Sequence, residues 1–257
     1  MPRAHRHYLS GQLWHITHRC HKKSFLLRFS GDRRTYRQWL FEAKRRFGLC
    51  VLNFVVTSNH VHILVKDSGE GVIAQSMQLA AGRTAQEYNY RKGRQGAFWE
   101  DRYHATAVEA GEHLHRCLVY IDLNMVRAGV VQHPAAWENG GYREIQDPPR
   151  RYRLIDLPAL SAACGFSDER TFQSTHRQWV EDALASGTLA RDVCWSQSIA
   201  VGGNDFVEAV KRQLGIVAPH RAVAVAGDTY ALREPENPYK LVFPVKIDPL
   251  RSKNRGF

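Results

Sequence analysis

Long apolar runs are missing from this chain. No stretch approaches the roughly 20 apolar residues a membrane-spanning helix needs. The opening residues, Met1-Pro2-Arg3-Ala4-His5-Arg6-His7, lack the hydrophobic core of a secretory signal. A cytoplasmic protein with no membrane partner is expected. Cysteine is scarce as well: there are five, Cys20, Cys50, Cys117, Cys164 and Cys194, widely spaced and without a CxxC pair. An odd number in that pattern indicates neither a disulfide framework nor a thiolate zinc site, and reduced, mostly buried thiols are expected. No internal repeat is visible. The 257 residues suffice for one domain of ordinary size with a smaller appendage.

Acidic residues are sparse in one part of the chain. Before residue 104, 18 Lys and Arg stand against 7 Asp and Glu, so this part carries the entire formal net charge of +11. Such an imbalance calls for a polyanionic partner, bound through salt-sensitive contacts to phosphates. The candidate contacts are Arg33 with Arg34, Lys44 with Arg45, and Arg91 and Lys92 with Arg94, joined by Arg19, Arg83 and Arg102. Any one cluster taken alone also reads as a solvated helix face. Interleaved Trp14, Tyr36, Trp39, Tyr88, Tyr90 and Trp99 turn the reading toward nucleic acid, because aromatic rings stack on bases.

Periodicity gives the architecture. Leu13 to Arg19 alternates as a strand, and Asp32 to Phe47 has helical spacing ended by Gly48. Val51 to Thr57 is β-branched, Ser58-Asn59 turns the chain, and a second strand follows. Gly71 to Arg91 is helix-like and Phe98 to Val108 strand-like. The order strand, helix, strand, strand, helix, strand predicts an α+β fold of ferredoxin-like split βαβ layout, an antiparallel sheet with helices on one face and chemistry on the other. A further helix is expected over Glu109 to Ala128. Past the linker candidate Asp147-Pro148-Pro149-Arg150-Arg151, short helices are expected at Leu157 to Cys164, Asp168 to Ser186 and Asn204 to Leu214. The division is therefore 1–146, a catalytic-type domain, and 147–257, a linker and small, mostly helical accessory region.

Two places carry chemistry. In Thr57-Ser58-Asn59-His60-Val61-His62-Ile63-Leu64-Val65, strand alternation puts His60 and His62 on one face, a pleat apart, where two imidazoles can share a metal ion. On the helix after the fourth strand, His113, Arg116, Tyr120, Asn124 and Arg127 fall along one side, opposite the apolar stripe of Leu114, Cys117, Leu118, Ile121 and Met125. Singly these residues read as structure: a histidine pair is often incidental and a helical tyrosine is usually a packing residue. Jointly, two imidazoles and an amide oxygen would leave open positions on Mg²⁺ or Mn²⁺ for a phosphate. His15 and His18, on opposite strand faces, read as core or DNA contacts.

Asn59-His60-Val61-His62, the segment Tyr120-Ile121-x-x-Asn124-x-Val126-Arg127-Ala128-Gly129 and the opening Trp14-His15-Ile16-Thr17-His18-Arg19 resemble the single-tyrosine HUH transposases. The likeness is to the REP-associated tyrosine transposases in the IS200-like superfamily, over about residues 10 to 145. It implies a cytoplasmic, nucleoid-associated enzyme, monomeric or homodimeric, that binds single-stranded or hairpin DNA such as REP-type palindromes. It implies Tyr120 as nucleophile, His60, His62 and Asn124 as ligands of Mg²⁺ or Mn²⁺, and a 5′-phosphotyrosine intermediate in cleavage and strand transfer. Met125 departs from the proline that commonly follows the asparagine, and as a good helix former it leaves the backbone ladder intact. Arg116 and Arg127 join the candidate DNA contacts. The competing readings are a noncatalytic, domesticated nucleic-acid-binding module of the same fold, and a hydrolase of small phosphoesters that would leave the basic half unexplained.

Overall fold

The computed structural model describes residues 9–187, 192–215, 221–226 and 229–233. The N-terminal heptapeptide and most of the last thirty residues lie outside them. The first six elements are β1 (Leu13–Arg19), α1 (Ser30–Phe47), β2 (Cys50–Val56), β3 (His60–Lys66), α2 (Val72–Arg91) and β4 (His104–Val108). They lie side by side as β2-β3-β1-β4, all antiparallel, which is the strand order of the split βαβ layout. α1 ends where Gly48 takes a left-handed φ of 73° and its N–H closes on Lys44 O, a conformation glycine adopts without a Cβ penalty. β4 is shorter than its sequence suggests. Residues 98–103 contribute a single bridge, Trp99 to Cys20, because Phe98 and Trp99 pack against Tyr88, Tyr36 and His18 instead of extending the strand.

α1 and α2 pack on each other and cover one face of the sheet, where His18 stacks on Trp99 and Arg37 lies over Phe54. The other face is covered too. It receives α3 (Glu112–Asp122), followed by the single turn α4 (Asn124–Arg127). The helix expected to run unbroken to Ala128 is interrupted at Leu123, with ψ 4°. Arg127 Nη2 donates to the Tyr120 carbonyl at 2.5 Å, satisfying a helix-end acceptor.

The chain after residue 146 is not confined to helices. α5 (Tyr142–Gln146), α6 (Leu157–Ala163) and α7 (Glu169–Ala185) are followed by α8 (Cys194–Gln197), β5 (Ser198–Gly202), α9 (Asn204–Leu214), β6 (Ala222–Ala226) and β7 (Thr229–Arg233). β5 adds in parallel beside β4, and the sheet continues to seven strands in the order β2-β3-β1-β4-β5-β7-β6. Both parts of the chain therefore share one sheet. Asp156 and Asp168 cap α6 and α7 by accepting from Ala159 N and Thr171 N, as N-cap carboxylates do. All five cysteines are free, four of them buried. Among the described residues no helix is long and apolar enough to cross a membrane.

The seam between β2 and the chain leading into α5 is tight. Gly141 N donates to Phe54 O at 2.7 Å. A Cβ on Gly141 would run into Asn53 Oδ1 and lie 2.9 Å from Ile155 Cδ1 and 3.1 Å from Phe54 N. Gly141→Ala should lower stability by about 1–3 kcal/mol through overpacking, read as a lower thermal midpoint. An unchanged midpoint would mean that the seam yields freely.

Candidate active site

The turn between β2 and β3 is built to present His60. Thr57 Oγ1 accepts from His60 N and donates to His60 O, at 3.1 and 2.8 Å. Asn59 Nδ2 donates to Lys23 O at 3.1 Å, so its Oδ1 faces the other way and stands 2.7 Å from His60 Nδ1. An amide oxygen only accepts. The proton of His60 therefore sits on Nδ1, leaving Nε2 as the nitrogen with ligand character, the arrangement in which an outer partner orients a metal-binding histidine.

His62 lies on the same face, its ring centroid 4.9 Å from that of His60, but only 3% exposed. Its Nδ1 is also engaged, 2.9 Å from His15 Nε2 and 3.2 Å from Thr17 Oγ1. His15 is fully buried, its ring nearly parallel to that of His62 with centroids 4.9 Å apart, and it donates from Nδ1 to the Trp195 carbonyl at 2.6 Å. Burial drives its pKa down to about 4, against the opposing pull of that carbonyl, so the ring is neutral at neutral pH.

Tyr120 comes from α3, and its ring centroid is 5.8 Å from His62, 6.1 Å from His15 and 6.2 Å from Trp195. The helical side opposite the apolar stripe is thus largely covered, and Tyr120 is 7% exposed. Part of the covering comes from α8, through Trp195. Arg127 closes the remaining side, its guanidinium 4.2 Å from the centre of the phenol ring. A groove of about 400 Å³ between α3 and α7 reaches Tyr120, lined also by Arg116, Arg127, His115 and Trp179.

His60, His62 and Tyr120 are thereby brought together from a strand and a helix. The contacts among the described residues that join these three do not extend to Asn124, which is half-buried at the start of α4, beyond the break. No group of three or more His, Cys, Asp or Glu side chains among the described residues is arranged to hold a metal. A metal on the histidine pair therefore needs a ligand of another kind, the part expected of Asn124. Two imidazoles with engaged Nδ1 atoms fit a borderline divalent cation.

The candidate DNA contacts divide. Arg19 is paired with His60 in the β1–β3 ladder and so shares its face; Arg116 and Arg127 line the groove. Arg34, Lys44, Arg45, Arg83 and Arg91 ride on α1 and α2, across the sheet from Tyr120, with Lys92 immediately after. Arg33 is a correction: it is 9% exposed, donates to Leu27 O and Arg28 O, and lies 4.7 Å from the Trp137 ring, so its guanidinium is used inside the fold. Arg94 is likewise tied to Asn89 and the Ala97 carbonyl, whereas Arg102 is exposed. Arg91 pairs with Asp32, and Arg116 with Glu112. His113 pairs with Glu109 at 3.0 Å.

Several residues of the site's surroundings escape sequence reasoning. Trp195 stands 180 residues from its partner His15, and nothing local marks it. Asp122 and His176 form a buried pair at 2.8 Å behind Tyr120, with Asn53 Nδ2 donating to the second carboxylate oxygen at 3.0 Å. From sequence His15 reads only as a core or DNA-contact residue, although its register opposite Leu64 places it beside His62 once the β1–β3 pairing is known.

Strand-borne His60 and His62 and helix-borne Tyr120 are among the residues on which the sequence resemblance to the single-tyrosine transposases rests. Residues 9–124 match the model of the family "Transposase IS200 like". Among solved structures, the chain is similar to a REP-associated tyrosine transposase bound to a REP hairpin, at 19% identity, covering 60% of this chain and 90% of that one with a TM-score of 0.47. It is also similar to a candidate transposase from Deinococcus radiodurans R1, at 16% identity, covering 40% of this chain and 84% of that one with a TM-score of 0.31. No curated protein matches.

Proposed function

We propose that this protein is a metal-dependent single-stranded DNA endonuclease and strand transferase that binds hairpin-forming DNA and cuts it through Tyr120. The observation that carries the reading is the meeting of the Tyr120 ring with His62, 5.8 Å apart, beside His60. The match of residues 9–124 to the transposase family model supports the same chemistry. In the proposed reaction Tyr120 Oη attacks the scissile phosphorus. The bond to the 3′ oxygen breaks as the bond to Oη forms. The phenol gives up its proton and the departing 3′ oxygen takes one up, leaving a 5′-phosphotyrosine and a free 3′-hydroxyl. Because a phosphodiester is exchanged for a phosphodiester, the same step in reverse joins another strand.

The chain's own residues contribute position and exclusion of water. His15, His62 and Trp195 wall the phenol ring on its buried sides, and Arg127 holds both its ring face and its backbone carbonyl. Water that cannot reach the phosphorus cannot compete with the phenol. An unperturbed phenol has a pKa of about 10 and is a weak nucleophile at neutral pH. A Mg²⁺ or Mn²⁺ ion held by His60, His62 and, as third ligand, Asn124 would supply neutralisation of charge on the phosphate oxygens. Arg19, on the face of His60, and Arg116, at the groove, are suited to flanking phosphates. REP-type palindromes are the substrate that the family likeness implies.

A noncatalytic DNA-binding module of the same fold is the competing reading, favoured by the low exposure of Tyr120. Incubation with single-stranded hairpin DNA and Mn²⁺ separates the two. The proposed enzyme gives a covalent adduct resistant to denaturing gels. His60→Ala should reduce adduct formation at least ~100-fold while hairpin affinity changes less than threefold. Tight hairpin binding with no cleavage in Mg²⁺ or Mn²⁺ would establish the noncatalytic module instead.

A further inference from the structure

We propose that His15 is a positioning residue for the metal site, and that the backbone carbonyl of Trp195, in the C-terminal region, sets its action: the chain Trp195 O, His15, His62 holds the His62 ring with Nε2 presented to a divalent cation. The proposal rests on the metal-dependent reading of the site. It adds a residue that does not ligate and a backbone group outside the segment matched by the family, which ends at residue 124.

The direction of each hydrogen bond follows from its far end. A backbone carbonyl only accepts, so at 2.6 Å from Trp195 O the His15 Nδ1 must carry a hydrogen. Among the described residues the ring nitrogens of His15 meet only that oxygen and His62 Nδ1. A second hydrogen on Nε2 would make a buried imidazolium with no carboxylate beside it, which a fully buried position disfavours. Nε2 of His15 is therefore an acceptor, and across 2.9 Å the hydrogen belongs to His62 Nδ1. Once His62 carries its hydrogen on Nδ1, the lone pair is on Nε2.

The two rings lie edge to edge, 12° from parallel, and this in-plane contact fixes the orientation as well as the tautomer. His60 reaches the same state by a different route, through Asn59 Oδ1. The two ligands are thus set by separate devices: the His60 one is local to the hairpin, whereas the His62 one depends on a segment 133 residues further on. Trp195 is itself anchored. Its α8 leads directly into β5, which joins the sheet beside β4, and Thr106 Oγ1 bridges to the Trp195 and Ser198 carbonyls at 3.3 and 2.6 Å. The C-terminal region is on this account a working part of the metal site.

The test is Mn²⁺ titration of the full chain, followed by electron paramagnetic resonance, in the wild type and in His60→Ala, His15→Phe and His15→Gln. Phe keeps the bulk of the ring and removes both nitrogens; Gln restores an oxygen that can accept from His62 Nδ1. We expect His15→Phe to weaken Mn²⁺ binding by about ten- to a hundredfold, the usual effect of losing an outer partner, and His15→Gln to recover most of it. Hairpin affinity should stay within threefold of wild type in both. Nitrogen NMR of the wild type, without metal, should find the His62 hydrogen on Nδ1. That measurement decides the matter even if His15→Phe does not fold, since a hydrogen on His62 Nε2 overturns the proposal. Wild-type Mn²⁺ affinity in His15→Phe, alongside loss of binding in His60→Ala, overturns it too while leaving the metal reading intact. Mn²⁺ binding indifferent to His60→Ala removes the metal reading and this proposal together.

Discussion

Tyr120→Phe should abolish the covalent protein–DNA adduct while leaving a folded protein that still binds hairpin DNA. The substitution removes one oxygen and nothing else. Without Oη there is no group to form the phosphotyrosine bond, so the adduct should fall below detection rather than slow by a modest factor. The ring itself packs between His15, His62 and Trp195 under the Arg127 guanidinium, and a phenylalanine ring fills that space. Stability should stay within about 1 kcal/mol of wild type. The measurement is a denaturing gel with labelled hairpin DNA and Mn²⁺, beside a binding titration. An adduct that persists in Tyr120→Phe would place the nucleophile elsewhere and remove Tyr120 from its role.

The second large effect is on stability. His176→Ala should cost about 2–4 kcal/mol, from leaving a buried Asp122 oxygen without its hydrogen bond and from the cavity that a deleted ring opens. The side chains of His176 and Asp122 are 0% and 1% exposed, so water cannot readily take over the Asp122 oxygen that His176 Nε2 meets at 2.8 Å. The remaining oxygen keeps Asn53 Nδ2, which cannot also serve the oxygen that His176 leaves. His176 also stacks on Phe172 and bonds Gln146 Nε2 at 3.0 Å, so truncation opens a cavity in the junction of α3, α5 and α7. Asp122 lies two residues after Tyr120, and cleavage should fall along with stability. Urea unfolding gives the free energy; a loss under about 1 kcal/mol would mean that water fills the site and satisfies the carboxylate.

The ferredoxin-like frame was legible because its elements have strong local signals. β1, β2 and β3 alternate or are β-branched, α1 and α2 carry helical spacing with Gly48 as a stop, and the helices after residue 150 appear at Leu157–Ala163, Glu169–Ala185 and Asn204–Leu214, close to where their periodicity puts them. β5 was not legible. Ser198–Gly202 is five residues long and follows directly on a four-residue helix, so it offers neither the length nor the flanking turn by which a strand is recognised. Its strand character comes from pairing with β4 and β7. The break at Leu123 escaped for a related reason: helical spacing from 112 to 127 is continuous, and the interruption is accommodated by an arginine that returns to the Tyr120 carbonyl from seven residues away.

The sequence by itself determined the two halves of the candidate site. Alternation on a strand makes His60 and His62 share a face whatever surrounds them, and helical spacing sets Arg116 and Tyr120 one turn apart on one side of α3. Only the tertiary structure decided which face the helix meets, that the tyrosine is covered rather than open, and that basic clusters on α1 and α2 lie across the sheet from it. The outer partners of the site were decided there as well. The Asp122–His176 pair and the carbonyl of Trp195 behind His15 join residues 54 and 180 positions apart. The physical reason is that local periodicity constrains only residues within a few turns or pleats. Which distant hydrogen-bond donor meets which acceptor is settled when the chain closes and each buried polar group must find a partner.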